Sequence, residues 1–276
     1  MSSLSIAQSE QVLQGSSKPW YLPTFSPEHG VLLVMLGSLL TGASLAQAWT
    51  GETTVTCLVG FLGLQAEHPL VVQIKQRRRW RWRYVTWAAI YGGAAILLAL
   101  WLASKYPVLL WVMAGGTVAI AVDIAAVLRR RQKAIETEIT LFAAICLCTL
   151  FAFGATTGTL TVEALGFWVL NTLFFASAVF TIKLRKVKTS SLKGSLVYHG
   201  VAISLVALLC MIGWLSLFTA LTFAVAVLKL LVIICVRDWY CNCRFEYIAR
   251  FETYFALTYT ALACLTVLPA TLPPPG

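Results

Sequence analysis

The residues of this chain that could do chemistry are few, and nearly all of them adjoin long apolar stretches. Two pairs, Glu28–His29 and Glu67–His68, set a carboxylate beside an imidazole, and His199 is the third histidine. Neutral imidazole serves as a general base or a metal ligand. Three histidines with carboxylates nearby permit a divalent metal without requiring one. No metal-ligand set is therefore named, and the cofactor is left open. Adjacent helical residues diverge by about 100°, so a Glu need not touch the His that follows it. Pro69, directly after His68, removes a backbone donor and frees the Gln65 carbonyl. That reads either as a broken helix end suited to a ligand or as a plain kink. Catalytic roles are expected of His29, His68, Glu28, Glu67 and His199. Ligand-binding roles are expected of Asp123, Lys183, Lys229, Arg250, Glu252 and Glu136, with Lys and Arg holding a phosphate or carboxylate.

The elements that must position these groups are membrane-spanning helices. The chain is 59% hydrophobic and 12% charged, against about 45–50% and about 25% in a soluble domain. Apolar blocks run over 31–48, 85–103, 108–128, 141–154, 165–180, 196–215 and 217–236. About 20 such residues cross a bilayer core as a helix. Lipid admits only helices or closed barrels, and barrel strands alternate apolar with polar residues, which these blocks do not. The fold class expected is all-α, a polytopic membrane helical bundle of about nine transmembrane helices. The first opens at Ser26-Pro27, with Ser26 as N-cap, and runs from Gly30 to Trp49. The seventh and eighth form a hairpin turning near Gly213 to Ser216, an amphipathic loop covers Arg237 to Arg250, and the ninth starts near Phe251. Residues 1–26 read as a polar cytoplasmic tail lacking a cleavable signal, 27–270 as one transmembrane domain, and 271–276 as a Pro-rich tail.

Charge sets the orientation. Of 21 Lys and Arg, six lie in Lys75–Arg83, four in Arg129–Lys133, five in Lys183–Lys193 and three in Arg237–Arg250, with Lys18 in the tail. All of these fall on one side of the alternation, which the positive-inside rule makes cytoplasmic. The N-terminus is then inside and the C-terminus outside. The polar residues inside the spans also crowd the cytoplasmic half, while Asn171 alone lies near the midplane and Lys229 is next deepest. One-sided depth implies a polar cavity open to the cytoplasm or inner leaflet; an alternating-access carrier more often places polar groups at the midplane.

Plainer readings stand beside these. Glu28, Glu136, Glu138 and Glu252 near helix starts complement the helix dipole, and Lys183 can snorkel to the interface. Lys229 and Asp123 are deep enough to need partners, and a mutual ion pair is one arrangement. Most of the eight cysteines lie in spans as small apolar residues, and Cys241-x-Cys243 without a second pair is a weak zinc signal. The Arg77–Tyr84 stretch mixes Arg with Trp as nucleic-acid binders do, but beside two spans it reads as an interfacial belt on anionic lipid headgroups. Nucleic acid is excluded as a partner, and membrane lipids are expected. There is no Gly-rich phosphate loop, H-E-x-x-H or nucleophile elbow.

Pro27-Glu28-His29-Gly30, with His68-Pro69-Leu70, Asp123, Glu136 to Glu138, Trp168, Phe174-Phe175, Lys183-Leu184-Arg185, His199 and Arg250-x-Glu252, resembles the YwiC-like family of bacterial membrane proteins. That resemblance implies a multi-span membrane protein and no established activity. The layout is also similar to UbiA-type intramembrane prenyltransferases, which use two Asp-rich motifs for magnesium and diphosphate. Here Asp123 and Asp238 are the only aspartates, so the likeness concerns topology. The function expected is an intramembrane enzyme or binder of an amphipathic, anionic lipid-like or prenyl ligand in a bacterial inner or equivalent internal membrane. The rival classes are a small-molecule transporter and a membrane assembly or scaffold protein without a ligand.

Overall fold

The computed structural model describes residues 21–25, 29–75, 81–129, 131, 133–185 and 192–268. The expected capping residues Ser26 and Pro27, Glu28, most of both tails and much of the basic Lys75–Arg83 segment lie outside them. The described residues form helices and no strands. These are α1 (His29–Leu45), α2 (Gly51–Lys75), α3 (Trp82–Lys105), α4 (Leu109–Leu128), α5 (Ile135–Thr157), α6 (Val162–Lys183), α7 (Leu192–Met211), α8 (Leu217–Leu221), α9 (Ala224–Cys235), α10 (Arg237–Asn242) and α11 (Phe245–Leu265).

Seven helical segments are long and apolar enough to cross a membrane: α2 to α7, and α8 with α9 as one span over Leu217–Cys235. The apolar α1 is shorter, at 17 residues, or about 25 Å at 1.5 Å per residue. The 21-residue α11 carries Glu246, Arg250 and Glu252 in its first half, which lowers its mean hydropathy. Among the described residues, seven full spans are thus joined by one shorter apolar helix and one less apolar one, and the protein is an integral membrane protein.

Local chemistry sets the helix ends. Gly158, at φ 74°, terminates α5 in a conformation that suits glycine. The Thr161 hydroxyl accepts from Ala164 N at 3.2 Å to cap α6, and Ser216 Oγ accepts from Thr219 N at 3.1 Å to cap α8. The loop expected over Arg237 to Arg250 is instead mostly helix, because α10 occupies its first part and α11 begins at Phe245. Ile248 and Tyr240 bury themselves with Leu184 and Ile233, and that packing orders the segment. Pro69 does not end α2, which continues to Lys75.

Cross-chain hydrogen bonds identify the two faces. At one end, Gln47 Nε2 donates to Val267 O, Thr53 pairs with Thr156, Lys105 with Glu52 and Thr219 with Thr266. At the other, Arg83 donates to Leu22 O and Pro23 O, Lys183 to Lys133 O, and Arg185 to Cys243 O. The basic segments therefore do meet at one face. The helices pack in two groups: α2 with α3, α4 and α5, and α6 with α7, α9 and α11, with α1 and α5 between them. At mid-depth Asn171 ties α1, α5, α6 and α11 together. Its Nδ2 donates to Thr41 at 2.7 Å and Thr149 at 2.8 Å, and its Oδ1 accepts from Tyr259 at 2.7 Å.

Candidate functional site

Lys229 has 1% of its surface exposed. It lies six residues before Cys235, the last residue of α9, about 9 Å below the helix end. An ammonium at such depth needs partners. It has them: Nζ donates to Glu252 Oε2 at 2.9 Å and to Ser177 Oγ at 2.9 Å, and it sits 5.5 Å from the Phe174 ring centroid. Its ionic partner is thus Glu252, not Asp123. Because α11 begins at Phe245, Glu252 stands two turns into the helix. The dipole reading, which required the first turn, no longer accounts for it.

The other oxygen of Glu252 is also engaged. Oε1 accepts from Thr181 at 2.9 Å and from the Tyr240 hydroxyl at 3.3 Å. Tyr240 is fully buried on α10. Burial first, and then the adjacent Glu252 charge, hold its phenol above the ordinary tyrosine range, so it remains a donor. Ser177 in turn donates to Phe174 O at 2.6 Å. Four helices, α6, α9, α10 and α11, thus build one polar centre toward the basic face.

His199, on α7, is a further buried polar residue. It is 3% exposed and within electrostatic reach of both Lys229 and Glu252. Its Nδ1 is 2.8 Å from Ser195 O. A carbonyl only accepts, so Nδ1 carries the proton, and in the neutral ring Nε2 presents a lone pair. Nε2 and Ser195 Oγ, one turn apart on α7, are both buried without a protein partner. Buried polar atoms are ordinarily satisfied, so two orphaned atoms one turn apart mark a place for a further polar group.

The remaining expected residues spread along the basic face. Lys183 ends α6, pairs with Glu138 and donates to Lys133 O at 3.3 Å. Glu136 is exposed in the first turn of α5, and Arg250 is exposed on α11. Glu67 and His68 are half-buried on α2, and Asp123 is half-buried on α4. His29 is the first residue of α1; its side chain and Glu28 fall outside the described residues. The structure pairs Lys229 with Glu252 and holds His199 within electrostatic reach of both. The helix bearing His68 packs with α1, α3, α4 and α5 and the helix bearing His199 with α6 and α8. Among the described residues, no three His, Cys, Asp or Glu gather as metal ligands.

Ser177, Thr181 and Tyr240 are the contributors that sequence reasoning missed. Ser177 and Thr181 are four apart, hence on one helical face. Tyr240 left no comparable signal, since its helix spans six residues.

Comparison with curated proteins finds no match, and neither does comparison with solved structures. Residues 25–153, covering α1 to most of α5, match the family model described as YwiC-like protein, and over that stretch this membrane protein is similar to that family.

Proposed function

We propose that this protein binds an amphipathic anionic ligand, lipid-like or prenyl, in an intramembrane polar site facing the cytoplasm, and that the ligand's head is received at the Lys229 centre. The observation that carries this reading is the buried Lys229–Glu252 pair, with two orphaned polar atoms, Ser195 Oγ and His199 Nε2, on a helix whose His199 is within electrostatic reach of it. Ion pairs inside membrane helices are costly, and they tend to mark functional sites. A head with a negative oxygen and an O–H or N–H shares the ammonium with Glu252, accepts from the Ser195 hydroxyl, and donates to the His199 Nε2 lone pair. Lys183, Arg250 and the basic loops attract such a head toward this face, and the surrounding spans accommodate its tail. Glu67, His68, Asp123 and Glu136, on α2, α4 and α5, lie apart from this centre and add polar groups to the other helix group. The positive-inside rule makes that face cytoplasmic, in a bacterial inner membrane or an equivalent internal one.

The test is lipid extraction and mass spectrometry of the purified protein beside a Lys229→Met/Glu252→Gln variant, which removes both charges together. One anionic amphiphile is expected with the wild type and at least tenfold less with the variant. No such amphiphile in either sample rejects this reading in favour of a scaffold. A site that opens to both faces in an experimental structure makes the protein a transporter.

A further inference from the structure

A separate cavity lies in the region that the family model matches, away from Lys229. A cavity of about 190 Å³ sits between α2, α3, α4 and α5, walled by Val59, Val112, Met113, Leu147 and Phe151. Gly116 also lines it, and a Cβ there would meet nothing within 4 Å. Val59, Met113, Gly116 and Leu147 are half-buried, so the cavity is open on one side at membrane depth. An apolar cavity of this size stays dry and accepts an apolar guest; in a bilayer the apolar material available is a lipid chain.

A headgroup station stands at the end of the same helices. Thr56 lines the cavity, and Glu52, four residues before it on α2, is about 6 Å nearer the surface. Glu52 pairs with Lys105 at 3.1 Å, both side chains partly exposed at 24% and 43%. The Lys105 ammonium lies 4.1 Å from the Trp101 ring centroid, and tryptophan and lysine are the residues that anchor at headgroup level. An ammonium has three donors, of which the Lys105–Glu52 bond uses one, and the Glu52 carboxylate, which also accepts from its own backbone N–H and from Thr50, has lone pairs to spare.

We propose that this recess binds one zwitterionic phospholipid of the phosphatidylethanolamine type, its phosphate on Lys105, its primary amine on Glu52 and part of one acyl chain in the cavity. A head carrying only negative charge meets the Glu52 carboxylate. A quaternary ammonium head has no N–H to give that carboxylate. The paired charges therefore select a head that has both signs and a donor. This site is independent of the Lys229 centre.

The test uses delipidated full-length protein titrated with phosphatidylethanolamine, phosphatidylcholine or phosphatidylglycerol, with retained lipid counted by native mass spectrometry. The wild type is expected to hold one phosphatidylethanolamine at least tenfold more tightly than either other lipid. Gly116→Leu fills the cavity and should weaken that binding at least tenfold. Glu52→Ala, which removes the acceptor, should abolish the preference over phosphatidylcholine. A Gly116→Leu variant that unfolds at a higher temperature yet retains the lipid unchanged shows a mere packing void and overturns the proposal. Equal binding of the three lipids overturns it as well. If Gly116→Leu fails to fold, Lys105→Ala at its half-exposed position decides: unchanged phosphatidylethanolamine binding rejects the site, and tenfold weaker binding supports it.

Discussion

Substituting Lys229 by Met tests the polar centre most quantitatively. The change leaves Glu252 Oε2 and Ser177 Oγ without the donor now 2.9 Å from each. Removing one partner of a buried pair costs about 3–5 kcal/mol. Glu252 is 16% exposed at its side chain, so water relieves part of its charge, and the loss should fall near the lower end, about 3 kcal/mol. Glu252→Gln strands the more deeply buried Lys229, whose side chain is 2% exposed, and should cost more, about 4 kcal/mol. The Lys229→Met/Glu252→Gln variant leaves no charge uncompensated and should be destabilised by about 3 kcal/mol less than the two single losses added. Reversible unfolding in mixed micelles with increasing SDS measures all three. Additivity within about 0.5 kcal/mol would show that the two side chains do not interact in the folded protein and would refute the reasoning.

Further expectations follow from other parts of the bundle. Asn171→Ala strands the Tyr259 hydroxyl at 0% exposure and should destabilise by about 1–3 kcal/mol in the same assay, whereas a loss below about 0.5 kcal/mol would show that the network adds little. A Cβ at Gly42 would meet Thr149 O at 2.2 Å, where α1 crosses α5. Gly42→Ala should therefore separate those helices at a cost of about 1–3 kcal/mol, and a fully stable variant would contradict the close crossing. The raised Tyr240 phenol stabilises the fold below the ordinary tyrosine range, and that contribution is lost as pH rises through the folded value. The phenolate absorbance gained between about pH 9.5 and 11 should then be the same in the wild type and Tyr240→Phe, and a smaller gain in the variant would show that Tyr240 titrates normally.

What the sequence made legible was whatever depends on local composition. Apolar blocks mark the spans, and the clusters at Arg129–Lys133 and Lys183–Lys193 mark the shared face. Lys229 was identifiable as a group needing a partner because an ammonium two turns inside a span has no other means of support. Its pairing with Glu252 was not legible, since it depends on how α9 packs against α11. The dipole explanation of Glu252 failed for a related reason: the start of α11 is set by Ile248 and Tyr240 joining Leu184 and Ile233, a tertiary contact that no periodicity announces. The two Glu–His pairs drew attention through residue type alone. Of the two histidine side chains among the described residues, it is His199, without an adjacent Glu, that lies within electrostatic reach of the charged centre.

The most direct measurement of the central claim is an experimental density map of the wild-type protein purified with its native lipids. The account predicts a headgroup within hydrogen-bonding distance, about 3 Å, of Lys229 Nζ and close to His199 Nε2, with its tail among the spans. A map in which Lys229 touches only Glu252 and Ser177, with protein or bulk lipid closing over Ser195 and His199, would contradict it.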